Sequence, residues 1–513
     1  MPAPATAASS PRRHGVVVIH GQGDGQSPGD QLAVVANAIA DVLEVAGGRV
    51  DRAFSVTGQV AMGALDVTPP GGAGPTDRFE FSEAYWAQSL PTASPAAVAT
   101  WMLRLGPREA THVVRGWWRN AANDQIDDKD GAGGGSDYPA RLWLRAAYYA
   151  QLTVLSAVVW AIYLLSFLLA PLVFALYSMA SPRGSRRWSL LSPVLSALHS
   201  VDPFLRGTLG DAWRFVEDGM WSSNIRLVME ERLVALYGDA GIADITVIAH
   251  SQGCAIAYDA LAEGRAVGAA AAATPRRLTL VTVGSGLNRN AGLSRASRTS
   301  PYSRRLGREA IDHRITGLPP NGPLTPAATD EERQRLRGSF FWLDIFARLD
   351  LVPGGPVLDQ VRHAARIDPC QLKARQVINE DDLLRDHFGY FRNTDLVVPR
   401  IIRAVYGGEY PWTGATRTDS PAITSDRVRR RTRAVAFLQA LRFTLAATVV
   451  ALFALVAWSE DVRSVFEQDA GVLIAMDLGR FGEILTLVAV LIAPALIAVS
   501  VYRFVRGWWL DDL

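Results

Sequence analysis

The hydrophobic pattern falls into short buried-type runs and three much longer apolar stretches. Gly15-Val16-Val17-Val18-Ile19 and Ile245-Thr246-Val247-Ile248 are continuous, largely β-branched runs. Such runs predict strands covered on both faces of a parallel sheet. A helix-like stretch, Cys254–Leu261, follows the second run within a few residues. Arg78–Phe81 alternates polar and apolar positions like a strand and leads to the aromatic pair Tyr85-Trp86. Phe340–Leu349 reads as a further strand, Val361–Arg366 as a short helix and Leu396–Val405 as an apolar helix. Thr68–Asp77, Asp127–Asp137, Gly264–Arg277 and Gly317–Asp330 are rich in Pro, Gly or Ala and read as loops. Together these elements predict an α/β fold, a mostly parallel sheet with flanking helices, over 14–145 and 183–408. A small, polar tail (1–13) precedes it, and a polar linker (409–433) follows.

The longer apolar stretches call for a different solvent. Val435–Trp458 and Ile484–Tyr502 each approach the roughly 20 residues that cross a bilayer, so 434–513 reads as a transmembrane hairpin. Arg442 interrupts the first span and could snorkel to its end. Five arginines lie in Arg427–Arg433, Arg503 and Arg506 follow the second span, and the loop between the spans is net acidic. The positive-inside rule then puts both ends in the cytoplasm. No charged residue occurs from Ala146 to Pro182, a stretch flanked by Arg141 and Arg145 on one side and Arg183, Arg186 and Arg187 on the other. The strands at 15–19 and 245–248 must share one sheet, so this insertion crosses an even number of times or not at all. A re-entrant hairpin bent near Pro171, an interfacial helix pair and an apolar cap all fit. The expected location is a bacterial inner membrane, with the α/β domain facing the cytoplasm.

The chemistry concentrates where the second strand ends. Ala249-His250-Ser251-Gln252-Gly253 joins that strand to a helix by small residues at its first and last positions. This is the pattern of a nucleophile elbow, in which a strained turn lifts a serine Oγ off the sheet at a helix N-terminus. Ser251 is the candidate nucleophile. His250 is expected to point away into packing. Gly15–Ile19 ends in His20-Gly21-Gln22-Gly23, so the backbone N–H of Gln22 and that of Gln252 are the candidate oxyanion donors. A phosphate loop is the alternative for Gly21-x-Gly23-x-Gly25, but no Gly-Lys-Ser/Thr ending is present. Asp350, just past the 340–349 strand and before Val352-Pro353-Gly354-Gly355, is the candidate acid. Asp344, inside the strand pattern, better suits a structural ion pair. His387 lies in a loop before the apolar helix at 396–405 and is preferred as base over His363, His20, His199 and His313. Tyr85 and Trp86 could line a pocket, though core packing accounts for them too.

The order Ser251, Asp350, His387 resembles the α/β-hydrolase superfamily. The Asp350-Leu-Val-Pro and His387-Phe-Gly-Tyr motifs resemble bacterial relatives of class 3 (fungal-type) lipases. The resemblance runs over about 14–408 but rests on short motifs, and Ala249 stands where the family has Gly. It implies a serine hydrolase acting on esters through an acyl-enzyme. Thioester or amide cleavage, a membrane-damaging effector hydrolase of bacterial defence, and a non-catalytic membrane scaffold retain the same motifs.

Composition adds bounds. The net charge of +2 gives no case for a nucleic-acid partner. Only Lys129 and Lys373 of the 52 basic residues are lysines, an Arg and Ala bias expected of a GC-rich bacterial genome. Two cysteines, Cys254 and Cys370, form no disulfide framework or zinc pattern. No cofactor or metal is implied. The expected partners are the lipid bilayer and an acyl-ester substrate, and the pattern specifies no oligomeric state.

Overall fold

The computed structural model describes residues 12–21, 27–70, 76–87, 210–290, 340–347, 372–377 and 386–406, with isolated positions elsewhere that include 350, 352, 353, 357 and 379. The insertion at 146–182, apart from single helical positions between 149 and 160, lies outside the described residues, as does nearly all of the C-terminal segment. Among the described residues no helix is long and apolar enough to cross a membrane. The chain divides into two compact units, Met1–Thr424 and Ser425–Leu513.

The first unit is built on an eight-stranded, mostly parallel sheet with helices packed along it. Its strands are β1 (Arg13–Ile19), β2 (Arg49–Thr57), β3 (Val60–Thr68), β4 (Asp77–Glu83), β5 (Asp244–His250), β6 (Arg277–Val283), β7 (Phe340–Ala347) and β8 (Leu372–Val377). The spatial order is β2-β3-β4-β1-β5-β6-β7-β8. Only β3 runs against its neighbours, and every pair from β4–β1 to β7–β8 is parallel. The β-branched runs at 15–19 and 245–248 become β1 and β5, central strands buried from their second residue to their last. Burial on both faces is why they read as unbroken apolar runs.

The described helices are α1 (Asp30–Val45), α2 (Gly210–Glu217), α3 (Gly219–Gly238), α4 (Gln252–Glu263), α5 (Arg265–Ala273) and α6 (Val398–Val405). Asp218 caps α3, its carboxylate accepting from Met220 N at 3.1 Å and Trp221 N at 3.3 Å. The main core lies between the sheet and α2, α3 and α4, with Ile225, Met229, Leu233, Cys254, Tyr258 and Trp342 among its members. One expectation fails. The Ala-rich stretch at 264–277 is not a loop, because Arg265–Ala273 is helical. Alanine has the strongest helix propensity, so an Ala run with one Gly remains a helix once it can lie against α3.

The site lies where this topology changes direction. From β1 the chain first builds the β2–β3–β4 side of the sheet, then crosses to β5 on the other side of β1. Crevices form outside the carboxyl ends of the strands at such a switch point. Here those ends are Ile19-His20-Gly21 and Ala249-His250-Ser251.

Candidate active site

Parallel register delivers the residues. Ile19 pairs with Ala249, and His250 pairs with Val283. Extending both pairings by one step or two sets Gly21 and Gly284 beside Ser251. The elbow itself is strained. Ser251 has φ 55° and ψ −122°, and no other non-glycine residue among those described has positive φ. A conformation of this kind costs on the order of 1–3 kcal/mol and persists only where its surroundings hold it. They do so through three main-chain bonds. Ser251 N donates to Val283 O at 3.0 Å, Gly286 N to Ser251 O at 3.0 Å, and Cys254 N to Ser251 O at 3.2 Å. Two glycines make the space: a Cβ at Gly253 would stand 2.5 Å from His20 O, and one at Gly21 would stand 2.6 Å from Ser251 Cβ.

The three residues expected to act together are in hydrogen-bond contact. Ser251 Oγ lies 2.7 Å from His387 Nε2. His387 Nδ1 lies 2.9 and 3.0 Å from the two carboxylate oxygens of Asp350. A carboxylate only accepts, so Nδ1 carries the ring proton and Nε2 is free to receive the serine's. Asp350 also accepts from Val352 N at 2.9 Å and from the Tyr390 hydroxyl at 2.7 Å. Burial pushes the Asp350 carboxyl up, but His387 and these donors outweigh it and hold the group below its ordinary value. Tyr390 in turn accepts from Ala347 N at 2.7 Å, tying the acid to the end of β7. Burial, then the Asp350 carboxylate, pushes the Tyr390 phenol well up, so it remains a donor. Serine, base and acid are all buried, while Phe388, edge-on to His387, is 74% exposed.

Asp344 stays outside this relay. It is fully buried in β7, accepting from Thr282 Oγ1 at 2.7 Å and from Val357 N at 2.9 Å. Its role is structural, as expected, but it uses hydrogen bonds; the expected ion pair is not seen among the described residues. Burial pushes its carboxyl up to about 6.

Of the two expected oxyanion donors, Gln252 is the first residue of α4, at the positive end of the helix dipole. Its side chain is engaged, with Oε1 accepting from Asn290 Nδ2 at 2.9 Å. Gln22 lies outside the described residues. Tyr85 and Trp86 are buried against His20, their rings 5.2 and 5.1 Å from its imidazole. Trp86 Nε1 donates to His20 O at 3.1 Å, which makes the pair core packing behind the end of β1. His363, the weaker base candidate, lies outside the described residues. Cys254 is a buried thiol donating to Ala249 O at 3.1 Å, and burial pushes its pKa up. Among the described residues no cluster of His, Cys, Asp and Glu could hold a metal ion.

Sequence reasoning passed over several residues that brace the site. Gly284 (φ +58°) crosses beneath the acid and base, where a Cβ would stand 2.7 Å from the Tyr390 ring. Asn288 Nδ2 donates to Pro353 O at 3.2 Å, anchoring the acid's loop. His250 turns toward His387 instead of away from it. The Gly284-Ser285-Gly286 run at the end of an apolar strand was the available signal. No protein-family model, no curated protein and no solved structure matches the chain.

Proposed function

We propose that the chain is a serine hydrolase of the α/β-hydrolase type that cleaves acyl esters, on lipid or lipid-like substrates, from the membrane surface. The observation that carries the reading is the Ser251–His387–Asp350 relay raised on a strained turn between β5 and α4. In the reaction Ser251 Oγ attacks the ester carbonyl as His387 Nε2 takes its proton. Asp350 holds the imidazole in the required tautomer and stabilises the imidazolium. The Gln252 N–H, with the Gln22 N–H as its expected companion, receives the developing oxyanion. His387 then delivers its proton to the leaving alcohol, giving an acyl-enzyme. Water, deprotonated by the same base, releases the acid. A buried serine against a buried base favours a substrate that brings its carbonyl into a water-poor site.

The lipid part of the proposal rests on the apolar stretches at 146–182, 435–458 and 484–502 and on Phe388 beside His387. The test is ester hydrolysis by the full chain in detergent, comparing wild type with S251A, H387A, D350N and D344N. Loss of at least about a thousandfold in S251A and H387A, a large loss in D350N and retention in D344N is expected. Equal turnover by wild type and S251A rules the proposal out. F388S is expected to raise KM for long-chain esters several-fold and to leave short-chain esters unchanged. Equal effects on both would remove Phe388 as an acyl contact.

A further inference from the structure

His250 is the last residue of β5 and is buried immediately before the nucleophile. Its Nε2 lies 2.8 Å from the main-chain oxygen of His387. A carbonyl can only accept, so His250 carries its proton on Nε2. Its ring also stacks on the His387 ring, with centroids 4.8 Å apart and planes 30° apart. The Tyr390 and Phe391 rings stand at 66° and 69° to the His250 ring, with centroids 6.1 and 5.8 Å away. Burial, reinforced by the nearby His387, pulls its pKa down to about 3. The ring is therefore neutral near pH 7, and it does not oppose an imidazolium forming on its neighbour.

The relay leaves one degree of freedom open. The bonds to Ser251 and Asp350 hold the two ends of the His387 ring and so fix its long axis. They do not fix its tilt about that axis, nor the position of the turn that carries it. Phe388, next in sequence, is exposed, while Asp386 O on the other side accepts from Asn379 Nδ2 at 2.8 Å and leaves residue 387 itself to be held. We propose that His250 is a positioning residue for His387: its Nε2–H holds the main chain at residue 387 and with it the catalytic imidazole. This rests on Ser251 being the nucleophile, as proposed above. A misplacement of ~1 Å at a reacting group costs about a hundredfold in rate, so a loosened base would be felt directly.

Two variants separate the donor from the aromatic ring. His250→Gln keeps an amide donor that reaches the same carbonyl. His250→Phe keeps an aromatic face but removes the donor, leaving His387 O buried without that bond. The experiment is labelling of the full chain in detergent by a fluorophosphonate, with inactivation rate and probe affinity resolved separately and thermal unfolding followed for each variant. H250Q is expected to label within about threefold of wild type. H250F is expected to label at least about tenfold more slowly at unchanged probe affinity, while remaining folded at the assay temperature. A variant weakened only in its structure would not lose inactivation rate at constant affinity. Equal rates for H250Q and H250F overturn the positioning role while the serine-hydrolase reading stands. Wild type that does not label at all overturns that reading and this one with it. Should H250F fail to fold, H250Q decides alone: a rate tenfold or more below wild type overturns the role assigned to the Nε2 donor.

Discussion

Gly284 and Tyr390 show how the Ser251–His387–Asp350 relay is supported by residues outside it. At Gly284 the chain adopts φ +58°, and an added methyl would stand 2.7 Å from the Tyr390 ring and 3.0 Å from Asp350 Oδ2. G284A therefore combines left-handed backbone strain with a clash against buried groups. It is expected to lower unfolding stability by roughly 2 kcal/mol or more and to slow ester turnover by at least about tenfold. Denaturant unfolding beside a kinetic assay checks both. Tyr390→Phe removes the hydroxyl that donates to Asp350 and accepts from Ala347 N, leaving a buried N–H without that partner. A loss of about 1–3 kcal/mol is expected, with turnover reduced less than in D350N, because the carboxylate keeps His387 and Val352 N. Unchanged stability would deny the hydroxyl this role. Ser251, Asp350 and His387 were legible because each sits beside a local signal: an elbow, a strand followed by a Pro-Gly turn, a loop before a helix. Gly284, Tyr390 and His250 were not, because what they touch is set by how β5, β6 and β7 align across long stretches of chain.

Burial helped but did not suffice, for β6 is buried from its second residue to its last and was not read from the sequence. β1, β5 and β7 announce themselves as apolar runs because both of their faces are covered. β2 does not, because every position except Val50 is exposed. The α5 helix was mistaken for a loop, since alanines carry no hydrophobic period that distinguishes the two. β7 also carries a test of its own. Asp344 has its carboxyl raised to about 6 in the fold against 3.8 for the free side chain. Between those values the native state holds a proton that the unfolded chain has released. The contribution of Asp344 is thus most favourable below about pH 4 and is lost as pH rises through about 6. D344N should lack this component. Wild type is expected to lose stability relative to D344N between pH 4 and 6, with the difference constant above that. A pH-independent difference would mean Asp344 is already ionised in the fold.

The first unit joins its parts by topology: the strand sequence reverses at β1, and the site gathers where β1 and β5 end. That placement followed from no single motif. The core also holds a set of neutral histidines. Burial lowers His14, takes His20 to about 4 and takes His250 to about 3, against 6.5 for the free ring. Below about pH 6.5 the unfolded chain binds protons these rings refuse, so their contribution is complete above that pH and is lost as the solution is acidified. Asp344 and Glu83, both raised mainly by burial, act in the opposite sense. Between pH 7 and pH 5 the loss at His20 and His250 exceeds the gain at Asp344, so the denaturant midpoint of the full chain is expected to fall over that range. A level or rising midpoint would contradict the neutral, buried histidines.

For the membrane part of the proposal, deletion of Tyr148–Met179 is expected to abolish hydrolysis of long-chain lipid in vesicles and to spare short soluble esters. Equal loss of both would leave that segment a folding role only. The central claim is that Ser251 is an activated nucleophile, and covalent labelling reads this without knowledge of the substrate. Full-length protein treated with a fluorophosphonate and mapped by mass spectrometry should carry the adduct on Ser251, with none on S251A and little on H387A. A folded wild type that takes up no probe, or takes it up at another residue, would contradict the account.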